Sequence, residues 1–271
     1  MRVIAETTVA NDAETYERDG VVCLRGVFEE SWVDRLRAAI ESRLPNAKSF
    51  SPGGSAGFRF DGNMWDDDLE FRSFVFESGA GAIAGSVMRS NTIRLFKDQL
   101  FVKEPGTPDA VTPWHHDLPY WSVDGEQICS IWTPLDIVDG SNGAVQYVKG
   151  SHKWDKLFSP VDFGIGYNER QPGALDSIPD IDLMRGELDI VSFDVEPGDC
   201  IVFHSKTIHG GPGNEGVRRR RAYSTRWAGD DAVYCVRQTS SRPVRDPGLV
   251  PGERLSGDVF PLVWERSRAL D

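Results

Sequence analysis

The spacing of apolar residues changes along the chain. Up to about residue 90 they recur at helical intervals; beyond it they alternate in short runs. Trp32, Leu36, Ile40 and Leu44 predict an amphipathic helix over 31–44, with Ser31 placed to cap it and Pro45 to stop it. A short polar helix is predicted over 12–19 and a strand over Val21–Leu24. A second helical region spans about 67–88, broken near Gly79–Gly81. The later part predicts strands at Thr92–Lys103, Gln127–Leu135, Ala144–Lys149, Leu188–Phe193, Cys200–His204 and Arg221–Trp227. Turn clusters (EPGTPD, VDGSNG, VEPGD, GGPGNEG) separate them. Many short strands joined by Gly/Pro turns predict a mainly β sandwich or barrel, with the preceding helices packed outside one sheet. The stretch over about 158–184 is long, Gly/Pro-rich and aperiodic, the texture of a lid or binding loop, with disorder as the alternative.

The 271 residues suit one large β-type domain. Its expected parts are a mostly helical 1–90, a β core over 91–235 and a C-terminal extension over 236–271. Hydrophobic residues at 39% and charged residues at 27% are ordinary for a soluble protein. A formal charge of −12 argues against nucleic acid and anionic membrane as partners. No apolar run approaches the roughly 20 residues of a membrane span. The first residues lack a basic start followed by an apolar stretch, so a cytoplasmic protein is expected. Cys23, Cys129, Cys200 and Cys235 form no CxxC pair, which removes the zinc-ribbon and thioredoxin readings and leaves reduced thiols.

All five histidines (His115, His116, His152, His204, His209) fall after residue 114. In TPWHHDLPYW, His115 and Asp117 are two apart, and on an extended strand they share a face. His116 points the other way. Downstream, GDCIVFHSKTIHGGPGN offers His204 and His209 as a third ligand. Two histidines and a carboxylate make the facial triad of non-haem iron(II) enzymes, although zinc hydrolases use similar sets. The run GVRRRRAYSTRW adds an arginine. An oxo-diacid held at a metal has a far carboxylate, which a guanidinium binds through two hydrogen bonds. Arg220, eleven residues beyond His209, suits that task; Arg219 and Arg221 should face the opposite side, as part of a solvated charge run.

These motifs together resemble the phytanoyl-CoA dioxygenase family. LFKDQLFVKEPG, TPWHHDLPYW, SIWTPLD, NGAVQYVKGSHKW and HGGPGNEGVRRRRAYSTRW occur in the family's order over roughly 90–230. The resemblance implies a double-stranded β-helix (a jelly-roll, cupin-like sandwich). It implies iron(II) on His115, Asp117 and His209, and Arg220 on the C5 carboxylate of 2-oxoglutarate. Gln99 and Trp132 match positions that line the co-substrate pocket, and Asn214 falls in the loop after the third ligand. The implied reaction consumes dioxygen and 2-oxoglutarate, releases succinate and carbon dioxide, and hydroxylates an unactivated C–H bond of a small organic molecule. Related halogenases lack the carboxylate, so Asp117 favours hydroxylation. The family name does not establish an acyl-CoA substrate, and no oligomeric state follows.

Around the ligands, Tyr120, Trp121 and His116 are candidate substrate contacts, with packing as the alternative for each. His204 is expected at a strand end with a satisfied hydrogen bond, and His152 as a turn anchor. Trp114 suits either the pocket or the core; Trp65 and Phe60 are expected in packing, with closing the mouth as the alternative, and Lys103 facing solvent, with a contact to the co-substrate or a substrate anion as the alternative. Two other classes compete with the oxygenase: a cupin-like binding or sensor protein without turnover, and a zinc hydrolase with the same triad. Neither has a use for Arg220 beside a full triad.

Overall fold

A computed structural model describes residues 6–49, 57–161 and 175–267 of the chain. Its helices are α1 (Glu6–Asp19), α2 (Glu30–Arg43), α3 (Leu69–Glu77) and α4 (Ala80–Val87). Its strands are β1 (Val21–Leu24), β2 (Lys48–Ser49), β3 (Phe58–Gly62), β4 (Thr92–Lys103), β5 (Thr112–His115), β6 (Val123–Asp124), β7 (Ile128–Pro134), β8 (Gln146–Val148), β9 (Ile190–Ser192), β10 (Cys200–His204), β11 (His209–Gly211), β12 (Arg220–Ala228), β13 (Val233–Tyr234) and β14 (Leu262–Glu265). The main sheet runs β1-β10-β7-β12-β4-β3-β2, and β14 shares an edge of β4 with β3. A smaller sheet, β5-β11-β8-β9, faces it, and all of these pairings are antiparallel. The fold is mainly β, a double-stranded β-helix, with helices on the outer face of the main sheet.

Local chemistry explains most element ends. Gly20, at φ 77°, closes α1, its N–H reaching Tyr16 O at 2.7 Å; only glycine adopts that conformation cheaply. Gly79 sits left-handed between α3 and α4 and breaks the long helical pattern. Ser31 does not cap α2. The helix starts one residue earlier, after Glu29, and no side chain accepts at its cap; Glu30 in the first turn suits the helix dipole instead. Pro45 does not end the chain's winding either, but sits in a 3-10 turn (Leu44–Asn46) that continues it.

The outer layer is aromatic. Phe71 and Phe74 of α3 pack on Tyr223 of β12 with ring centroids 5.0 and 5.4 Å apart. Along β12, Tyr223 and Trp227 join this helix-facing core, while Arg220, Ser224 and Arg226 line the cavity between the sheets. β4 alternates in the same way: Leu100 and Val102 face the helices, whereas Lys97, Gln99 and Phe101 face the cavity. A bulge interrupts that pairing. Arg226 lies opposite Lys97 and Trp227 opposite Leu95, so Phe96 is the extra residue.

Asp98, fully buried on the helix side, accepts hydrogen bonds from Tyr223 Oη (2.7 Å) and Trp65 N (3.0 Å). Burial outweighs these bonds and raises its pKa to about 6. The folded state therefore favours the protonated form. The associated stability is present below the unfolded pKa, near 4, and is lost as pH rises through about 6. It amounts to roughly 3 kcal/mol. In thermal unfolding, the melting temperature of the wild type relative to Asp98→Asn is expected to rise as pH falls from 7 to 4. A difference that is constant over that range would exclude Asp98 as its source.

Candidate metal and co-substrate site

The small sheet assembles the first two ligand candidates. His209 on β11 pairs directly with His115 on β5 and with Tyr147 on β8. The two imidazole centroids lie 4.2 Å apart, and Tyr147 stacks on His209 at 5.9 Å. Each imidazole has its Nδ1 against a carbonyl two residues before it: Pro113 O at 2.8 Å for His115 and Thr207 O at 2.9 Å for His209. With Nδ1–H donated there, each Nε2 keeps its lone pair for the shared centre.

Asp117 arrives by a different route from the one its spacing suggests. β5 ends at His115, and Asp117 has helical dihedrals (φ −76°, ψ −36°) ahead of a 3-10 turn over Leu118–Tyr120. The Ser205 carbonyl accepts from both Asp117 N (2.9 Å) and Leu118 N (3.0 Å), and this folds the chain back. The outcome is still convergence: Asp117 Oδ1 is 3.7 Å from His115 Nε2, and Ser130 Oγ donates to Asp117 Oδ2 at 3.2 Å. The ligand atoms of His115, Asp117 and His209 all lie within 4.8 Å of one another.

Electrostatics prepare the same protonation states that a divalent ion requires. Burial, then the neighbouring His209, pushes His115 down to about 3, and burial also lowers His209. Burial works against an ionised Asp117, but His209, Arg226, His115 and Ser130 outweigh it and hold the carboxyl below its usual range. Neutral imidazoles and a carboxylate on one side of a common point suit a transition metal with open positions opposite.

The three residues border a cavity of about 400 Å³ between the sheets. Arg220 also lines it. Its guanidinium is buried, lies 5.5 Å from the Trp132 ring centroid, and keeps Nε without a hydrogen-bond partner. Burial lowers its pKa to about 10, which leaves it charged at neutral pH. Tyr147 Oη and Ser224 Oγ nearby are likewise buried and unpartnered. Such orphaned groups carry a desolvation cost that a polar ligand would relieve. Gln99, Trp132, Tyr120 and Trp121 all line this cavity together with the three ligand candidates and Arg220, whereas His116 does not.

His116 does not line this cavity. Its ring is turned away, and Nε2 accepts from Phe158 N at 3.0 Å. Lys103 does not face solvent: it is fully buried, donates to Pro212 O at 2.7 Å and lies over the Phe58 ring. Phe60 lines the cavity, whereas Trp65 is core. Trp114 bonds Asp182 away from it. His204 and His152 bond Glu126 O and Glu17 O, apart from the metal candidates. Arg219 and Arg221 do face away from Arg220, but as ion pairs with Glu104, Asp136 and Glu41 rather than as a free charge run. Asn214 ties its loop to Lys103 O and Arg218 O. Of the 158–184 stretch, residues 162–174 lie outside the described residues; Tyr120 Oη donates to Val161 O and accepts from Val161 N at its near end.

Sequence reasoning missed Lys97 and Arg226, which line the cavity, and Arg237. Arg237 reaches back from beyond β13 to the carbonyls of Trp121 and Val123, both at 2.8 Å. With Thr239 on Pro119 O, it pins the turn that carries Asp117.

The phytanoyl-CoA dioxygenase (PhyH) family model matches residues 16–222. A probable phytanoyl-CoA dioxygenase of Caenorhabditis elegans is 32% identical over 250 residues, covering 84% of this chain and 77% of that protein. Among solved structures, the non-heme alpha-ketoglutarate-dependent epimerase SnoN from nogalamycin biosynthesis superposes with a TM-score of 0.77 at 22% identity, over 98% of this chain and all of its own. The carbocyclase SnoK from the same biosynthesis gives 0.76 at 23% identity, over 97% of each chain. Both share the fold. No described helix is long and apolar enough to cross a membrane. By its sequence match across most of its length, the chain belongs to the phytanoyl-CoA dioxygenase family of iron- and 2-oxoglutarate-dependent oxygenases.

Proposed function

We propose that this protein hydroxylates an unactivated C–H bond of a small organic molecule, using iron(II), 2-oxoglutarate and dioxygen. One observation carries the reading: the His115, Asp117 and His209 donor atoms converge on a cavity that also holds the buried, unpartnered Arg220 guanidinium.

Bound iron and 2-oxoglutarate supply the oxidising chemistry, with succinate and carbon dioxide as products. The chain's residues bind and orient. His115 and His209 offer Nε2 because Pro113 and Thr207 carbonyls hold their Nδ1–H groups. Asp117 contributes one negative charge, and Ser130 fixes its second oxygen. Arg220 grips the distal carboxylate of 2-oxoglutarate and sets which end reaches the metal. Tyr147 Oη and Ser224 Oγ offer further hydrogen bonds. Trp132 and Gln99 form the wall on that side, and Phe101, Tyr120 and Trp121 present an apolar surface to the organic substrate.

Purified protein with iron(II), ascorbate and 2-oxoglutarate is expected to form succinate, slowly without organic substrate and faster with one. Zinc in place of iron should support none. Absence of iron-dependent succinate across a broad substrate panel would instead favour a binding role. The product's mass decides the outcome class: hydroxylation adds one oxygen atom, epimerisation keeps the mass and ring closure removes two hydrogens.

A further inference from the structure

The cavity holds more positive charge than the proposed co-substrate can use. Lys97 and Arg226 face each other directly across β4 and β12, and both line the cavity. Like charges opposed on antiparallel strands are destabilising, and burial multiplies the cost. Arg226 is only 4% exposed. Its Nη1 donates to Ser224 O at 2.9 Å and its guanidinium lies 5.6 and 5.9 Å from the Phe101 and Trp121 ring centroids, but Nε has no partner. A neutral pair of any kind would pack there at lower cost.

The neighbouring carboxylates do not resolve the excess. Asp98 is bonded to Tyr223 and Trp65 on the opposite face of the sheet. Asp61 is held by Arg43 at 2.9 Å, and Lys48 stands exposed at the mouth. Both cations feel Asp117 and Asp98; Asp98 is engaged by Tyr223 and Trp65 outside the cavity, and in the proposed site Asp117 is committed to the metal. Iron(II) and Arg220 together balance Asp117 and the 2-oxoglutarate dianion. Lys97 and Arg226 then stand as two positive charges with no counter-charge in the cavity. Nor can 2-oxoglutarate reach them while held by Arg220. Arg220 and Arg226 are six residues apart on one strand, which at about 3.3 Å per residue is roughly 20 Å.

We infer that Lys97 and Arg226 form the subsite for a carboxylate on the organic substrate, at the end of the cavity opposite Arg220. This rests on the proposed function, and it names the substrate class: a small organic acid whose apolar body lies along Phe101, Tyr120 and Trp121. The coenzyme A thioester of such an acid lacks the free carboxylate and is disfavoured.

The test uses protein loaded with manganese(II) and 2-oxoglutarate, which binds without turnover. Calorimetric titrations with 3-phenylpropionate, 3-phenylpropanamide and 3-phenylpropionyl-CoA compare one body with and without the charge. The carboxylate is expected to bind at least about tenfold tighter than the amide and the thioester, the scale of one charge-assisted hydrogen bond. Lys97→Met and Arg226→Gln should each reduce that preference to about twofold or less. Both should keep their affinity for 2-oxoglutarate, whereas Arg220→Met should lose 2-oxoglutarate and keep the carboxylate preference. Without any ligand, Lys97→Met should melt higher than wild type, because it removes a half-buried cation set directly opposite Arg226. Equal binding of acid and amide, failure of all three probes to bind, or a preference that survives both substitutions overturns the proposal. So does loss of 2-oxoglutarate binding in Lys97→Met, which would assign the pair to the co-substrate. Unchanged 2-oxoglutarate affinity in Arg220→Met would count against the proposed function instead. Should Arg226→Gln fail to fold, Lys97→Met decides the matter alone.

Discussion

Replacing Asp117 with alanine is expected to abolish iron-dependent succinate formation and to weaken iron binding by more than about 100-fold. Outer partners of metal ligands typically contribute roughly 10- to 100-fold, and a ligand itself should exceed that range. The substitution leaves two imidazoles and removes the only charged donor of the three. It also leaves Arg226 and Lys97 facing the metal without the carboxylate whose field they share, so the cavity repels a cation. Ser130→Ala, which takes away only the hydrogen bond to Asp117 Oδ2, is the graded comparison and should fall within the outer-partner range. Iron competition against a chelator and succinate assays give the two readouts. An Asp117→Ala protein that binds iron and turns over like the wild type would remove Asp117 from the metal site.

The second large effect belongs to Arg220. Arg220→Met should raise the KM for 2-oxoglutarate by roughly 100-fold, equivalent to about 3 kcal/mol from two charge-assisted hydrogen bonds. Arg220→Lys should fall between, because an ammonium offers charge without the planar fork. The free protein should behave in the opposite sense. Arg220 is buried with Nε unpartnered, so an apolar side chain of similar length should raise the melting temperature while co-substrate binding collapses. A merely structural arginine would lose stability on the same change. An unaltered KM would exclude Arg220 from 2-oxoglutarate binding.

What the sequence discloses depends on whether local pattern or distant contact decides a residue's position. β1, β4 and β10 match their predicted spans because alternating apolar runs end at sharp turn residues. The other predicted strands are trimmed by one to two residues at their ends, or in β12 extended by one at each end, where pairing rather than propensity sets the end. Asp117 was placed near His115 by strand alternation, yet the turn that positions it is held by the Ser205 carbonyl, which no local pattern announces. Lys103 reads as a solvent-facing strand-end residue, but Pro212 and Phe58 enclose it from loops remote in sequence. Arg226 is different. The order Arg220, Ala222, Ser224, Arg226 carries it to the same face as Arg220, and the contiguous run Arg218–Arg221 draws notice away from it. His116, beside the ligands in sequence, turns out to serve the backbone at Phe158.

The bulge at Phe96 makes β4 a strand in two independent sections. On one side, Lys97 to Lys103 keep step with Arg226 to Arg220 and line up the cavity floor. On the other, Leu95 and Arg94 keep step with Trp227 and Ala228, and Ile93 and Leu95 seat the sheet on its helices. Phe96 packs on Trp121 at 5.6 Å in the apolar cluster beside the cavity and Lys97 lines the cavity itself, so two successive side chains leave β4 on the side away from its helices. An unbroken strand would send them to opposite faces. A lineage can therefore exchange residues at 96 and 97, or shift the bulge, and re-aim the cavity's anion-facing end without disturbing the rung that holds Arg220. Selectivity for the organic acid and grip on the co-substrate would then evolve as separable traits along one continuous strand.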